Sequence, residues 1–385
     1  MSLVKPTPTV SISLPVYNGE KYLAGAIESA LEQTFGDFEL LICDDRSTDS
    51  SWEIVEQYRR QDNRIRSWRN DRNLGLFENY NHCLQRASGK YIKTFAQDDH
   101  WDPSILQKMV AALDEAPAIA LASTARRWID SDGSELRVLR LFPETRTVSG
   151  RQAIRYNLVG LTNWIGEPSA VMFRRELAGS GFDPSFYHYG DIEYWFRILE
   201  CGDYIYLDEV LCSFRRHSQQ STSINLGGLY FALDVFRLGK LYRSYLEELG
   251  EPEEQFYRRA LETISVHVDH LVREEGLTVE KVRSLDAQQK DNVTIALLAE
   301  AVAEFKELLF HSLRYTHELL RENYELNLVK DRWTSELARL ELLEAQIAEL
   351  HNSTSWKVTE PLRTIASALR PLQSRAGLGG RESLL

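Results

Sequence analysis

Short apolar runs and helical patterns alternate through the first 120 residues, and this alternation limits the fold more than any other feature of the sequence. Strands are predicted over residues 10–16, 38–43, 65–68 and 91–95, and helices over 20–33, from about 50, and from 76 to about 87. Strands that alternate with helices in this way form βαβ units with a mostly parallel sheet. The sequence therefore predicts an α/β domain that binds its ligands outside the carboxyl ends of the strands.

Two aspartate pairs stand at those carboxyl ends. Asp44 and Asp45 follow the second predicted strand, and Asp98 and Asp99 follow the fourth. Paired carboxylates at the end of a buried strand are costly unless a cation or hydrogen-bond donors compensate them. Adjacent side chains of an extended segment point in opposite directions, so we expect one member to bind a metal and the other a sugar hydroxyl. Carboxylate oxygens favour Mg²⁺ or Mn²⁺; the alternative is an aspartate cap for the helix after Pro103.

Four motifs in this order resemble glycosyltransferases of family 2, which have the GT-A fold. They are residues 10–18 (VSISLPVYN), 31–35 (LEQTF), 44–49 (DDRSTD) and 97–99 (QDD). The similarity continues through residues 166–169, 190–193 and 215–217, so that it covers about residues 8 to 225. The resemblance implies a GT-A catalytic domain over residues 1–225, with a Rossmann-like sheet, flanking helices and a nucleoside-diphosphate sugar as donor.

The resemblance also assigns the donor site. Tyr17 matches the residue that stacks on the base, Asp45 the residue that accepts a hydrogen bond from the base, and Asp98 the carboxylate that binds the ribose. An aspartate acceptor suits the imide of uracil or thymine, which favours UDP or dTDP sugars. A basic cluster near residue 216 is suited to the pyrophosphate, or is a solvated loop. The donor-binding residues predicted in this way are Pro15, Tyr17, Asn18, Asp45, Asn73, Gly75, Asp98, Arg215 and His217.

The metal and the chemistry are assigned to two further aspartates. The resemblance makes Asp99 the ligand of a divalent Mg²⁺ or Mn²⁺. Ala96 replaces the first aspartate of the Asp-x-Asp-Asp motif that the family often carries, which leaves fewer carboxylates for the ion. Asp191 matches the catalytic base of inverting members, and its alternative role is a helix N-cap. Glu193 is the substitute if the alignment slips by two residues.

Three residues are assigned to the acceptor, namely Trp164, Glu167 and Glu193. Trp164 and Glu167 lie where related enzymes shape the acceptor pocket. An indole can stack on a sugar face, although an aromatic residue in a loop more often packs against its own protein. The expected acceptor is a hydroxyl of a glycan or of a lipid-linked sugar.

The C-terminal half is predicted to be all-α. A helical extension is expected over 226–285, a long helix over 286–351 and a basic amphipathic or unstructured tail over 352–385. Apolar residues recur every three or four positions from 326 to 350, which indicates either a coiled coil that joins two copies or packing in the protein's own bundle. The tail suits an anionic membrane surface. Its segment 353–363 is similar to one that follows coiled coils in bacterial surface-polysaccharide enzymes, which favours an O-antigen or capsule setting.

Composition narrows the remaining alternatives. The net charge of −12 argues against nucleic acid as a partner. Four dispersed cysteines and the lack of an 18-residue apolar stretch predict a protein of the cytosol or of the inner face of the cytoplasmic membrane. A processive synthase of the same superfamily would carry Gln-x-x-Arg-Trp, but Thr124 and Val329 stand at the glutamine position before the two Arg-Trp pairs. A nucleotidyltransferase would carry a glycine-rich basic loop near the N-terminus, whereas residues 14–20 contain one glycine and no lysine or arginine. The alternative from another class is a coiled-coil scaffold of a polysaccharide assembly complex, with a degenerate transferase domain.

Overall fold

The computed structural model describes residues 7–161, 163–217, 220, 230–248, 255–256 and 259–260. The chain divides into two compact units, 1–220 and 221–385. The predicted long helix or coiled coil at 286–351 and the predicted tail at 352–385 lie outside the described residues. In the part of the chain that is described, no helix combines the length and the apolar character needed to cross a bilayer.

The first unit contains a ten-stranded sheet and six of the described α-helices. The strands are β1 (Val10–Val16), β2 (Phe38–Asp44), β3 (Ile65–Arg69), β4 (Tyr91–Thr94), β5 (His100–Trp101), β6 (Ile119–Ile129), β7 (Glu135–Leu139), β8 (Arg146–Val148), β9 (Val171–Arg174) and β10 (Asp203–Arg215). The helices are α1 (Leu23–Leu31), α2 (Ser51–Gln61), α3 (Leu76–Leu84), α4 (Ile105–Glu115), α5 (Gly150–Gly160) and α6 (Gly190–Leu199).

The sheet is mixed, so the expectation of a mostly parallel sheet holds only for its first part. The strand order is β3-β2-β1-β4-β9-β6-β10-β5, with β7 beside β6 and β8 beside β10. β1 to β4 pair in parallel, as the βαβ pattern predicts. β9 then runs antiparallel to both β4 and β6, and β10 is parallel to β6. The return of the chain through β9 brings the 163–170 segment to the edge where β4 ends.

The two longest strands were not predicted. β6 has 11 residues and β10 has 13, in a region where the sequence indicates only short strands and loops. Charged residues interrupt the apolar pattern of both, at Arg126-Arg127 in β6 and at Asp208-Glu209 in β10. β10 also contains register shifts against β6, which break the period-two alternation. The extent of these two strands is therefore determined by their pairing with distant segments of the chain.

Every residue of β1 and β2 is buried, so both faces of these parallel strands are covered. Such strands read as continuous apolar runs, which is typical of a parallel sheet with both faces covered. The rings of Phe95 and Trp101 stack at 3.7 Å beneath the end of β4. Each fully buried side chain of this size contributes roughly 1.5–3 kcal/mol. This packing gives the strand ends a rigid support.

Gly150 should tolerate no side chain. It begins α5, and a Cβ there would lie 1.9 Å from the carbonyl oxygen of Leu199 and 2.2 Å from that of Gly202. We expect Gly150→Ala to lower the free energy of unfolding by about 1–3 kcal/mol, since backbone atoms must move. Gly25→Ala is the matched control, because Gly25 lies in α1 with no atom within 4 Å of the added methyl. It should stabilise by about 0.5–1 kcal/mol in urea unfolding, and equal losses in both variants would contradict the argument.

The described part of the second unit contains α7 (Tyr230–Leu241) and α8 (Arg243–Glu248). Both helices lie where the sequence predicts a helical extension. Within this unit Gly239 of α7 lies against Phe256, whose ring would be 2.3 Å from an added Cβ. Tyr245 and Leu246 of α8 are buried.

Candidate active site

The loops that follow β1, β2, β4 and β10 meet at one edge of the sheet. Gln97 joins the first and third of these loops, because its side-chain amide donates to the Tyr17 carbonyl and accepts from the Tyr17 N–H, both at 2.9 Å. Gly19 makes this possible, since a Cβ there would lie 2.4 Å from the Gln97 oxygen. Pro15 lies in β1 at the start of this loop. Tyr17 as a residue is 46% exposed and is therefore accessible to a ligand.

Asn18 joins the loop after β1 to the loop after β2. Its backbone is left-handed, with a φ of 48°, and its side-chain oxygen accepts the N–H of Thr48 at 2.8 Å. The Asn18 N–H in turn donates to the Ser47 hydroxyl at 3.0 Å. Arg46 is also left-handed, with a φ of 64°. Non-glycine residues in this region cost free energy and cluster at ligand sites.

Asp45 is 1% exposed and holds the loop that leads into α3. Its carboxylate accepts from the Asn70 amide at 2.8 Å, from the Leu74 N–H at 2.9 and 3.0 Å, and from the Gly75 N–H at 2.8 Å. Gly75 has a φ of 92°, which favours glycine at this turn. Asn73 is exposed in the same loop. Asp45 thus fixes the loop, and its contact with a base stays a prediction.

Asp98 and His217 form a pair at the mouth of the site. Asp98 Oδ2 lies 2.8 Å from His217 Nε2, and both side chains are less than 20% exposed. Tyr22 packs against the imidazole with ring centroids 5.1 Å apart. The guanidinium of Arg215 lies over the Tyr22 ring, 4.5 Å from the ring centroid. A carboxylate oxygen beside an imidazole nitrogen is a combination that divalent metals accept as ligands.

Arg215 is engaged by the protein. Its Nε donates to the Asp98 carbonyl at 2.9 Å, and its Nη1 donates to the carbonyls of Asp130 and Ser131 at 3.0 and 3.3 Å. The predicted contact of this guanidinium with pyrophosphate would have to compete with those bonds. In the structure Arg215 connects the end of β10 to the loop after β4 and to the β6–β7 turn.

Asp99 faces the interior. It is 2% exposed, its Oδ1 accepts the Arg215 N–H at 2.8 Å, and its Oδ2 accepts the hydroxyl of Ser169. Burial raises the pKa of Asp99 well above its usual value, and the charge of Asp98 raises it further. Both carboxylate oxygens are therefore used to hold the loop after β4 against the 167–170 turn and the end of β10.

Lys93 is a buried lysine that lies close to Ser169 and Asp99. Its ammonium donates to the carbonyls of Thr94 and Ser169 and lies 4.3 Å from the Trp101 ring centroid. Burial lowers the pKa of Lys93 to about 7. The sequence carried a signal that was missed, because a lysine interrupts the apolar run of β4. We interpret Lys93 as support for the 168–170 turn, which holds Asp99.

Asp191 lies in the first turn of α6, and Tyr189 is the N-cap residue. The alternative interpretation of Asp191 as that cap is therefore wrong. Its Oδ1 accepts the Ile192 N–H at 2.8 Å, and its Oδ2 accepts the side-chain amide of Asn163 at 3.1 Å. Burial raises the pKa of Asp191 to about 7. A carboxylate that titrates near neutrality is suited to taking a proton from a hydroxyl.

The residues predicted to bind the acceptor separate into two groups. Glu167 forms an ion pair with Arg126 and, like Asn163, lies on the Asp191 side of the site. Trp164 is 37% exposed and directly follows Asn163. Glu193 is instead 5% exposed, and its two oxygens bind Arg197 at 2.7 and 2.9 Å. The structure therefore does not place Glu193 with Asp191, because residues two apart on a helix point to different sides.

Tyr80 lies within electrostatic reach of Asp98, Asp99 and Asp191. It is fully buried in α3, and its hydroxyl donates to the Phe95 carbonyl at 3.0 Å. Burial raises the pKa of Tyr80 well above 10, and the charges of Asp99, Asp98 and Asp191 raise it further. The charges of all three carboxylates thus act on one phenol, although Asp191 lies more than 90 residues after the adjacent Asp98 and Asp99. The three carboxylates therefore lie in one region of the structure, around α3.

Sequence comparison identifies related proteins. The family described as Glycosyl transferase family 2 matches residues 11–182. An uncharacterised protein of Mycobacterium tuberculosis is 32% identical over 221 residues, which are 55% of this chain and 68% of that protein. TuaG of Bacillus subtilis, whose name assigns it to teichuronic acid biosynthesis as a glycosyltransferase, is 29% identical over 209 residues, or 54% of this chain and 79% of its own length.

Solved structures share the fold. S. aureus TarS 1-349 in complex with UDP-GlcNAc gives a TM-score of 0.50 over 78% of this chain and 88% of that chain, at 18% identity. The mannosyltransferase PcManGT from Pyrobaculum calidifontis, solved with GDP-Man and Mn²⁺, gives 0.50 over 79% and 84%, at 15% identity. This likeness supports the GT-A-like α/β sheet with flanking helices. The chain belongs to glycosyltransferase family 2 and is a glycosyltransferase.

Proposed function

We propose that the chain is an inverting, metal-dependent transferase that moves a sugar from a nucleoside-diphosphate sugar to a hydroxyl of a glycan or lipid-linked acceptor. One observation carries the proposal. A buried carboxylate with a pKa of about 7, Asp191, shares a site with the Asp98–His217 pair. Turn 167–170 connects Asp191 to Asp99, the neighbour of Asp98, because the charge of Glu167 raises the pKa of Asp191 and the Ser169 hydroxyl donates to Asp99.

The metal fits Asp98 and His217 better than Asp99. Asp98 Oδ2 and His217 Nε2 are 2.8 Å apart, so one ion could replace the contact between them. Asp99 has both oxygens occupied and is 2% exposed. No group of three metal-binding side chains occurs in the described part of the chain, so we propose that donor phosphates and water complete the coordination of Mg²⁺ or Mn²⁺. When bound, the ion offsets charge on the departing nucleoside diphosphate.

The donor is proposed to be a UDP or dTDP sugar that stacks on Tyr17. TarS, solved with UDP-GlcNAc, supports a uridine nucleotide, whereas the mannosyltransferase solved with GDP-Man supports guanosine. Because Asp45 already accepts four hydrogen bonds, we assign it to holding the 70–75 loop that borders the base. Pro15, Asn18, Asn73 and Gly75 would line the same end of the site.

The base for a single displacement would come from this chain, and the bound ion would offset the charge of the leaving group. Asp191 takes the proton of the acceptor hydroxyl as the acceptor oxygen forms its bond to the anomeric carbon. The bond from that carbon to the donor phosphate breaks, and the nucleoside diphosphate leaves with the electron pair. Attack opposite the leaving group inverts the anomeric configuration and needs no enzyme nucleophile. Trp164 and Glu167, beside Asn163, are proposed to contact the acceptor.

The biological setting is proposed from relatives and from the C-terminal sequence. The name of TuaG and the resemblance of residues 353–363 both favour bacterial surface-polysaccharide synthesis. We propose action in the cytosol or at the inner face of the cytoplasmic membrane, with the 352–385 tail as a peripheral contact. The 286–351 segment is proposed to join copies of the chain or to dock on other helices. No nucleic acid partner is proposed.

A binding screen tests the function. Thermal shift and titration calorimetry with UDP-, dTDP- and GDP-sugars, each with and without Mn²⁺, should show metal-dependent stabilisation by one nucleotide class. Stabilisation follows mass action and reaches roughly 2.7 kcal/mol at a ligand concentration of 100 Kd. Release of nucleoside diphosphate with an added glycan acceptor would then identify transfer. A folded protein that binds none of the donors would contradict the enzyme assignment and favour the assembly scaffold.

A further inference from the structure

The side chain of Asn163 contacts the carboxylate that the proposed function uses as the base. Its Nδ2 donates to Asp191 Oδ2 at 3.1 Å, while the Ile192 N–H occupies Oδ1 at 2.8 Å. The carboxylate is therefore held from two sides, once by its own helix and once by a residue of the loop after α5. Asn163 lies in none of the motifs that identify the family, and no pattern in the sequence selects it.

The orientation of the Asn163 amide is fixed by its other contacts. Its Oδ1 accepts the Gly166 N–H at 2.8 Å, and an amide oxygen in that position leaves only the NH₂ group to face Asp191. Arg126 Nη2 donates to the Asn163 carbonyl at 2.9 Å and so fixes the backbone as well. Arg126 also pairs with Glu167 in the following turn. Both the oxygen and the nitrogen of the Asn163 amide are thus engaged.

The charged groups around Asp191 oppose one another. Arg126 favours the ionised carboxylate and Glu167 disfavours it, and these two residues form an ion pair with each other. Tyr80, from α3, also lies within electrostatic reach, and its phenol is uncharged near neutrality. Burial favours the neutral acid, so the donors on the two oxygens decide how much of the base is ionised near pH 7.

From this geometry we propose that Asn163 is a positioning residue for the base, which orients the Asp191 carboxylate and stabilises its ionised form. The proposal rests on the assignment of Asp191 as the base. A donor to a carboxylate stabilises the charged state, so removal of the Asn163 amide must raise the pKa of the base. The basic form would then appear only at higher pH, while the donor nucleotide would bind as before.

The test is the pH dependence of kcat/KM with saturating Mn²⁺. We expect Asn163→Ala to move the acid limb upward by about one pH unit, because the variant removes one of the two hydrogen bonds that stabilise the ionised carboxylate and water replaces it only in part. Asn163→Asp retains the shape and the acceptor for the Gly166 N–H but adds a second carboxyl, so its shift should be at least as large. Affinity for UDP should stay within about twofold in both variants.

Asn157→Ala is the matched control. Asn157 Oδ1 accepts the Trp164 N–H at 2.8 Å, so this variant loosens the same loop without removing a contact to Asp191. We expect its acid limb to stay at the wild-type position. An equal shift in Asn157→Ala, or an unshifted limb in folded Asn163→Ala and Asn163→Asp, would overturn the proposal. Full transfer activity in Asp191→Asn would instead overturn the base assignment itself, so the two failures are distinguishable.

Discussion

Replacement of Asp191 by asparagine is expected to lower kcat about 10²–10⁴-fold while the affinity for the donor nucleotide stays unchanged. The amide has nearly the same shape and can still accept the Ile192 N–H, which in the wild type lies 2.8 Å from Oδ1. It cannot take a proton from the acceptor hydroxyl. Stopped assays of nucleoside diphosphate release measure the loss, and UDP titration checks the donor site.

The pH dependence of the rate tests the same assignment of Asp191 as the base. The base must be ionised to act, and burial raises the pKa of Asp191 to about 7. The rate should therefore fall about tenfold for each pH unit below that value and level off above it. An acid limb near pH 4, where an ordinary aspartate titrates, would contradict the assignment.

Glu193→Gln is the comparison variant on the same helix. Glu193 is 5% exposed and binds Arg197 through both oxygens, so its replacement should lower stability and leave the chemistry largely intact. Inactivity of a folded Glu193→Gln protein, combined with an active Asp191→Asn protein, would move the base two residues along the helix. That outcome would restore the alternative that the sequence alone leaves open.

The parallel part of the fold could be predicted because its signals are local. β1 has the bounds expected from its β-branched run, and β2 and β3 extend one residue further than predicted. The aspartate pairs also stand at strand ends, as expected. β6 and β10 could not be predicted, since their charged residues break the apolar pattern and their pairing joins segments more than 80 residues apart.

The roles within the site could be predicted less well, because partners far along the chain decide them. Asp98 contacts His217, which lies 119 residues further along the chain, and Asp99 contacts Ser169, which lies 70 residues further along. Two adjacent aspartates look alike in the sequence, and only these contacts show which one faces the opening. Asn163 carries no charge and no motif, so nothing in the sequence distinguishes it from other loop asparagines.

Asp98→Asn and Asp99→Asn should therefore differ in metal binding. We expect Asp98→Asn to weaken Mn²⁺ binding in the presence of UDP by more than the ~10–100-fold that is typical for a group that only orients a ligand. Its carboxylate lies 2.8 Å from His217 and is the more exposed of the two. An amide is a poor ligand for a divalent ion beside imidazole. Titration calorimetry of Mn²⁺ into the protein with saturating UDP measures the change without relying on activity.

Asp99→Asn should bind Mn²⁺ within a few-fold of the wild type. The asparagine oxygen can still accept the Arg215 N–H, and its NH₂ can donate to the Ser169 hydroxyl, so the buried contacts survive with donor and acceptor exchanged. Loss of Mn²⁺ binding in a folded Asp99→Asn protein, with Asp98→Asn unaffected, would return the metal to Asp99, as the order of the motif suggests. Equal losses would mean that both carboxylates bind the ion, and the contact with Ser169 would have to open when the donor binds.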